Sequence, residues 1–140
     1  MSTAENVITL PIPGEDLVRV PRGEYQANYV RHVGIIVFRS PKLRVDFRLL
    51  AHPELIVPRW YRVVHDYRGG RVRAGHHSDI VRELSAVLGR RVRSDRIPVS
   101  ALENIVVRVE VRDVSSDRKQ DNLAEMNRYS VISRLIGQEP

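Results

Sequence analysis

Two segments of this chain alternate strictly between apolar and charged residues, and this period of two constrains the fold more than any other feature. In residues 43–49, Leu, Val and Phe occupy the odd positions and Arg or Asp the even ones. In residues 107–112, Val alternates with Arg and Glu in the same way. Because successive side chains of a strand point to opposite faces of its sheet, each segment predicts a strand with one buried and one solvated face.

Three further segments are expected to complete the sheet. The first strand is predicted from residue 23, with Tyr25, Ala27, Tyr29 and Val33 on one side of it. Residues 35–38 either continue this strand or form a short separate piece before a turn at Ser40-Pro41. Residues 55–66 predict the third strand, which ends before the glycine-rich stretch at residues 68–71. Residues 129–136 are apolar again and return to the core as a strand or a short helix.

One helix is predicted at residues 78–89. Its apolar residues recur at helical spacing, Ser78 is suited to the N-cap, and Gly89 is placed to end the helix. The order of strands, helix and strands predicts a mostly β (α+β) fold, namely a five-stranded antiparallel OB-like barrel with one inserted helix. A turn or short helix is expected at residues 98–104.

The N-terminal segment and one internal segment are expected to lie outside the core of this barrel. Prolines and a glycine in residues 1–22 oppose a helix or a central strand there, so an extended N-terminal arm is predicted. Residues 23–140 are predicted to form a single OB-like domain, in which residues 115–127 form a mobile loop. A chain of 140 residues can bury a sufficient core as one domain.

Composition excludes several classes of site. The chain has no cysteine, so disulfides, thiolate nucleophiles and cysteine zinc sites are ruled out. No apolar run approaches the ~20 residues of a membrane helix, and the first residues do not resemble a signal peptide. These features predict a cytoplasmic protein with no membrane partner.

Catalytic patterns are weak throughout. His65, Asp66 and His76 invite a small nuclease as a third hypothesis, but no histidine pair has the i, i+4 spacing that helical metal sites use. The GxSxG and P-loop patterns are also missing. The sequence therefore predicts no enzyme, no metal and no cofactor.

Positive charge is concentrated in the middle of the chain. Formal net charge is +6, and ten of the 21 arginines fall in residues 59–96. The guanidinium group of arginine donates two hydrogen bonds to one phosphate and also stacks on bases. Unpaired bases stack on aromatic rings. An arginine-rich composition also fits a nucleotide bias of the genome, which does not explain the clustering.

Seven residues of this region are candidate nucleic-acid contacts. They are Arg59, Trp60, Tyr61, Arg62, Tyr67, Arg71 and Arg73. Strand alternation places Trp60 and Tyr61 on opposite faces, so at most one of them faces the core. Trp60 is equally compatible with a core anchor. The arginines in residues 90–96 either interact favourably with the dipole at the C-terminal end of the helix or make further contacts with the phosphates of a bound strand.

The chain resembles small uncharacterised proteins encoded in bacterial phages and integrated mobile elements. The resemblance covers about residues 23–136 and rests on soft motifs: Gly23-Glu24-Tyr25, Pro41-Lys42 through Phe47-Arg48, Pro58-Arg59-Trp60-Tyr61, the helix at 78–89, and Arg128-Tyr129-Ser130-Val131-Ile132. The layout is also similar to a phage family of presumed single-stranded-DNA-binding proteins, although it departs from that family at residues 102–104. The resemblance implies an OB-like fold and a role beside replication or recombination genes.

The function expected from these features is weakly sequence-specific binding of single-stranded nucleic acid, with DNA favoured over RNA. Homo-oligomers and replication or recombination proteins are compatible partners. The alternative is a protein-interaction module or inhibitor that uses its basic face on an acidic partner.

Overall fold

The computed structural model describes residues 19–66, 71–114 and 129–139. The strands there are β1 (Gly23–Val37), β2 (Ser40–Leu49), β3 (Ile56–Arg62), β4 (Val64–Asp66), β5 (Arg71–Arg73), β6 (Val106–Val114) and β7 (Tyr129–Gln138). One α-helix, α1 (Asp79–Leu88), lies between β5 and β6, and a 3₁₀ helix follows it at Val99–Leu102. Residues 1–18 of the expected arm, the expected loop at 115–127 and Tyr67 lie outside the described residues.

Five strands form one antiparallel sheet in the order β3-β2-β1-β6-β7. The expectation of a mostly β fold with five antiparallel strands and one helix is therefore confirmed. The sheet is open, because the described residues contain no hydrogen-bonded ladder between its edge strands β3 and β7. These two edges nevertheless lie close together, and α1 packs against β7 and β3.

The first hairpin turns earlier than expected. Phe38 and Arg39 form the turn, with φ values of 50° and 64°, and Ser40 and Pro41 already belong to β2. Residues with positive φ at both central positions define the tight turn whose twist matches that of paired strands. The expected turn at Ser40-Pro41 is wrong because proline at a strand start is tolerated there, and Pro41 pairs with Ile36.

The third predicted strand is divided at Val63. β3 stays in the main sheet, whereas β4 leaves it and pairs with β5 as a separate two-stranded ladder. At the break, the backbone N–H of Val63 still donates to the carbonyl of Pro41 at 3.4 Å. The continuous strand expected over residues 55–66 is therefore replaced by two short strands that belong to different sheets.

A register shift in β1 changes which side chains face inward. Ala27 and Tyr29 pair with Leu49 and Phe47, but beyond the shift between Tyr29 and Arg31, Val33 pairs with Arg44. Cross-strand partners share a face, so Val33 lies on the Arg44 face, and the expectation that it shares a side with Ala27 and Tyr29 is wrong. A bulge adds one residue to a strand and reverses the alternation after it.

The helix matches its prediction in extent and buries one face. Ile80, Val81, Leu84 and Val87 are buried in the same cluster as the inward residues of the sheet. Ser78 occupies the N-cap position with extended backbone angles but makes no capping side-chain hydrogen bond. Gly89 ends the helix in the left-handed region, φ 69°, and its N–H donates to the carbonyl of Ser85 at 3.0 Å.

The remaining elements close the core. Residues 129–138 are a strand rather than a helix, which settles the alternative left open by the sequence. Val20 is buried, and its N–H donates to Ser130 Oγ at 3.0 Å. The apolar positions of β2 and β6 are fully buried, as their period-two patterns predict.

Candidate nucleic-acid interface

The outward positions of β2 and β3 bring an aromatic ring together with three cations. Lys42 pairs with Arg62, and Arg44 pairs with Trp60. Cross-strand partners lie on one face with their Cβ atoms about 5 Å apart. Because the neighbouring residues Leu43, Val45 and Tyr61 are buried, this face is the one directed away from the core.

Trp60 is half-buried, and its ring lies beside the Arg44 guanidinium. The guanidinium carbon of Arg44 is 6.0 Å from the centroid of the Trp60 ring. A cation at this distance is at the outer limit for attraction by the ring's π-electrons. Trp60 therefore presents its indole within a cationic surface, instead of joining the main hydrophobic cluster.

Asp46 fixes the arginines next to this ring. Its carboxylate lies 3.0 Å from Arg31 Nε and 3.1 Å from Arg44 Nε, and the residue is only 3% exposed. A nearly inaccessible carboxylate needs such partners, because an unpaired buried charge is costly. The two arginines carry one more charge than Asp46 neutralises, so the group stays cationic.

A groove of 680 Å³ opens next to Trp60. Lys42, Trp60 and Arg62 of the sheet line it, together with Val64, residues 74–75 and residues 77–79. The hairpin of β4 and β5 extends this surface. Val64 pairs with Arg73, so Arg73 lies on the face of that ladder that borders the groove.

We call the surface formed by these residues the basic face. It consists of Lys42, Arg44, Trp60, Arg62, Arg71 and Arg73. Among the described residues, the cations of this face that form no ion pair with a carboxylate are Lys42, Arg62, Arg71 and Arg73. Arg62, Arg71 and Arg73 are exposed, so their guanidinium groups are accessible to an anion.

Two of the candidate contacts lie in the protein interior. Arg59 is 9% exposed, and its Nε and Nη2 donate to the two carboxylate oxygens of Glu83 at 3.1 and 2.5 Å. Tyr61 is 1% exposed and donates to Glu83 Oε1 at 2.7 Å. The Arg59 guanidinium also stacks over the Tyr61 ring at 4.3 Å. Their polar groups are engaged within the fold, so the candidate interface is carried by Trp60 and the accessible cations.

Burial and the nearby Glu83 carboxylate shift the pKa values of Tyr61 and Arg59. Burial raises the pKa of Tyr61 well above its ordinary value, and the negative charge of Glu83 raises it further. Burial lowers the pKa of Arg59, but the hydrogen bond and charge of Glu83 outweigh this effect, so the net change is upward. Both groups therefore keep their protons throughout the neutral range.

Of the remaining titratable candidates, only His76 has a described side chain. His76 is exposed, and its Nδ1 lies 3.3 Å from Ser94 Oγ, while the side chains of His65 and Asp66 lie outside the described part. Within residues 19–66, 71–114 and 129–139, no three histidine or acidic side chains are grouped as metal ligands would be. The one α-helix described is too short to cross a membrane.

Sequence reasoning missed Lys42 and Arg44 as members of the interface. Arg44 was recognised as a charged position of an alternating strand and Lys42 was not, and nothing local says which residues of β3 lie opposite them. The pairing of β2 with β3 depends on a register between segments separated along the chain. Tyr67, the remaining candidate, lies outside the described residues.

Comparison of the chain with models of known protein families, with curated proteins and with solved structures gives no match. The functional argument therefore rests on the geometry of the basic face.

Proposed function

We propose that this protein is a non-enzymatic, OB-like protein that binds single-stranded nucleic acid, DNA in the first place, through its basic face. The observation that carries the proposal is the position of Trp60, which lies on the outer face of β2 and β3 between Arg44 and the groove lined by Lys42 and Arg62. In OB-folds this region of the sheet binds oligonucleotides.

The strand order supports the OB-like part of the proposal. The sheet runs β3-β2-β1-β6-β7, and its two edge strands already lie near each other above α1. If these edges are counted as neighbours, the five strands form a partly open barrel with one helix inserted before the last two strands. An open or partly open barrel leaves the outer face of β2 and β3 accessible to a ligand.

The composition of the face favours single strands over duplex. A half-buried indole can stack on any unpaired base, whereas bases in a duplex offer only their edges. The surrounding cations contact phosphates, which hold the strand in place but carry no sequence information. Binding is therefore weakly sequence-specific. The sequence resemblance supports a setting in a phage or mobile-element replication or recombination module, and the composition supports a cytoplasmic location.

The test uses the single tryptophan of the chain as its probe. Trp60 fluorescence and the anisotropy of a labelled oligonucleotide are titrated with single-stranded DNA, with the matching duplex and with single-stranded RNA, across a range of salt. We expect quenching, preference for the single strand, and a slope of log affinity against log salt of about −3 if four cations each neutralise one phosphate.

Variants separate stacking from general attraction. Trp60→Ala should weaken single-strand binding about fivefold to a hundredfold while leaving the salt slope unchanged, because stacking is uncharged. Arg62→Ala should reduce the slope by about 0.7. Arg91→Ala is the matched control, because Arg91 is exposed but lies outside the groove. Absence of binding at low salt, with a retained acidic protein partner from nuclease-treated lysate, would instead favour the protein-interaction alternative.

A further inference from the structure

A second groove with a volume of 440 Å³ also borders β5, and its described lining shares no residue with that of the Trp60 groove. Ala74, just after β5, lines the first groove, whereas Arg71 and Val72 of β5 line the second. β5 has three residues, so the two grooves are separated by only about 10 Å of strand. Residues two positions apart, Val72 and Ala74, therefore line different grooves, so the two grooves are close enough for one extended ligand.

The second groove is cationic. Arg71 lines it from β5, Arg96 lines it from the connector after α1, and His32 and Ser100 add polar groups. No described carboxylate belongs to its lining, unlike the first groove, which includes Asp79. Asp95 lies next to Arg96 along the chain, but no ion pair of the described residues engages Arg71 or Arg96, so two exposed guanidinium groups in this lining suit an anion.

The two arginines come from segments that are held together by the backbone. Ile97 N–H donates to the carbonyl of Val72 at 2.9 Å, and Ala74 N–H donates to the carbonyl of Ser94 at 3.0 Å. These bonds attach the connector to β5 directly beside Arg71 and Arg96. The two guanidinium groups therefore start from fixed backbone positions on either side of the groove.

We propose that this groove is a second phosphate-binding site, which takes the backbone of the same single strand after it has crossed β5. The inference rests on the proposed function and extends it. It adds Arg96 to the residues that bind phosphate, and it predicts that the bound single strand runs over both grooves. The site recognises phosphate alone, so it adds affinity without sequence preference. Short strands fill only the Trp60 groove, and longer strands reach both.

The experiment measures affinity against strand length for the full chain. Oligothymidines from about 4 to about 16 nucleotides cover the range of site sizes known for OB-folds. For the unaltered protein, affinity should rise in two stages as the strand fills the first groove and then the second. Arg96→Ala should remove the second stage, lowering affinity for the longest strand about five- to tenfold and leaving the shortest strand unchanged.

Three further variants make the test specific. Arg91→Ala removes the same charge from the same connector, but Arg91 lines neither groove, so it should retain both stages. Arg96→Lys keeps the charge and should restore part of the second stage. Trp60→Ala should weaken all lengths alike. Thermal unfolding of the Arg91 and Arg96 variants should match that of the unaltered chain, since both arginines are exposed.

The outcomes distinguish this inference from the proposed function. Equal losses for Arg96→Ala and Arg91→Ala, or an Arg96→Ala effect that is the same at every length, would overturn the second site while leaving single-strand binding intact. Failure of every oligonucleotide to bind would overturn both.

Discussion

Glu83 of α1 accepts the backbone N–H of Leu135 at 2.8 Å, so a helix side chain occupies a donor on an edge strand of the sheet. The same carboxylate oxygen accepts the hydroxyl of Tyr61 and the Nε of Arg59, both from the opposite edge strand. A buried backbone N–H requires a partner. In the absence of a described ladder between β3 and β7, Glu83 provides that partner and connects both edges through the helix.

Loss of this carboxylate should strongly destabilise the fold. Glu83→Ala leaves a nearly buried guanidinium, a hydroxyl and a backbone N–H without their acceptor, and breaking a buried ion pair in this way costs about 3–5 kcal/mol. The measurement is the free energy of unfolding from urea denaturation. Glu54→Ala, at an exposed position, is the control and should change stability little. A loss of less than about 1 kcal/mol for Glu83→Ala would show that water replaces the carboxylate.

The contacts of Glu83 could not be predicted from the sequence, because they join segments that are distant along the chain. The alternation of β2 and β6 and the apolar face of α1 are local patterns, and they located these elements correctly. Arg59 was assigned to phosphate because its sequence neighbourhood is basic, yet helix docking places Glu83 beside it. The break at Val63, the register shift after Tyr29 and the pairing of Lys42 with Arg62 likewise depend on contacts between distant segments. The spacing of apolar and polar residues within one segment does not show which distant segments it contacts.

Acid should destabilise the fold through His32. Burial lowers the pKa of His32 below its ordinary value of 6.5, and the charge of Glu103 opposes this only in part. The unfolded chain therefore binds a proton at a higher pH than the folded chain does. The contribution of this pKa difference to the free energy of unfolding is fully present above about pH 6.5. It is lost as the pH falls from there toward the lower pKa of His32 in the folded chain.

The measurement is the free energy of unfolding between pH 8 and pH 5, together with the NMR titration of the His32 ring. His32→Gln should flatten the pH dependence in this window. His77→Gln, at an exposed position, is the control and should retain the full dependence. An NMR pKa for His32 above 6.5 would contradict the predicted direction.

Asp46 should affect stability and binding in opposite directions. Asp46→Asn removes the charge that holds Arg31 and Arg44, so we expect a loss of about 1–3 kcal/mol in the free energy of unfolding. The same change removes a negative charge from beneath the basic face, which should raise single-strand affinity about two- to fourfold at low salt. Denaturation and anisotropy titrations of one preparation test both effects. Reduced affinity would show that orientation of Arg44 by Asp46 matters more than charge.

The turn between β1 and β2 should be open to stabilisation. Phe38 and Arg39 both have positive φ, which costs roughly 1–2 kcal/mol per residue for side chains other than glycine. The combined change Phe38→Asn and Arg39→Gly supplies the residues that this turn prefers. Phe38 is 63% exposed, so its replacement sacrifices little buried area. We expect the free energy of unfolding to rise by about 1–2 kcal/mol.

Arg39→Ala is the matched variant for this turn, because it removes the same charge but keeps a Cβ atom at φ 64°. It should leave stability nearly unchanged, which would assign the gain of the double variant to relief of backbone strain instead of charge removal. Thermal unfolding at two salt concentrations separates the two causes, since strain relief is independent of salt whereas charge repulsion is screened. A less stable double variant would mean that contacts of the Phe38 ring outweigh the strain of the turn.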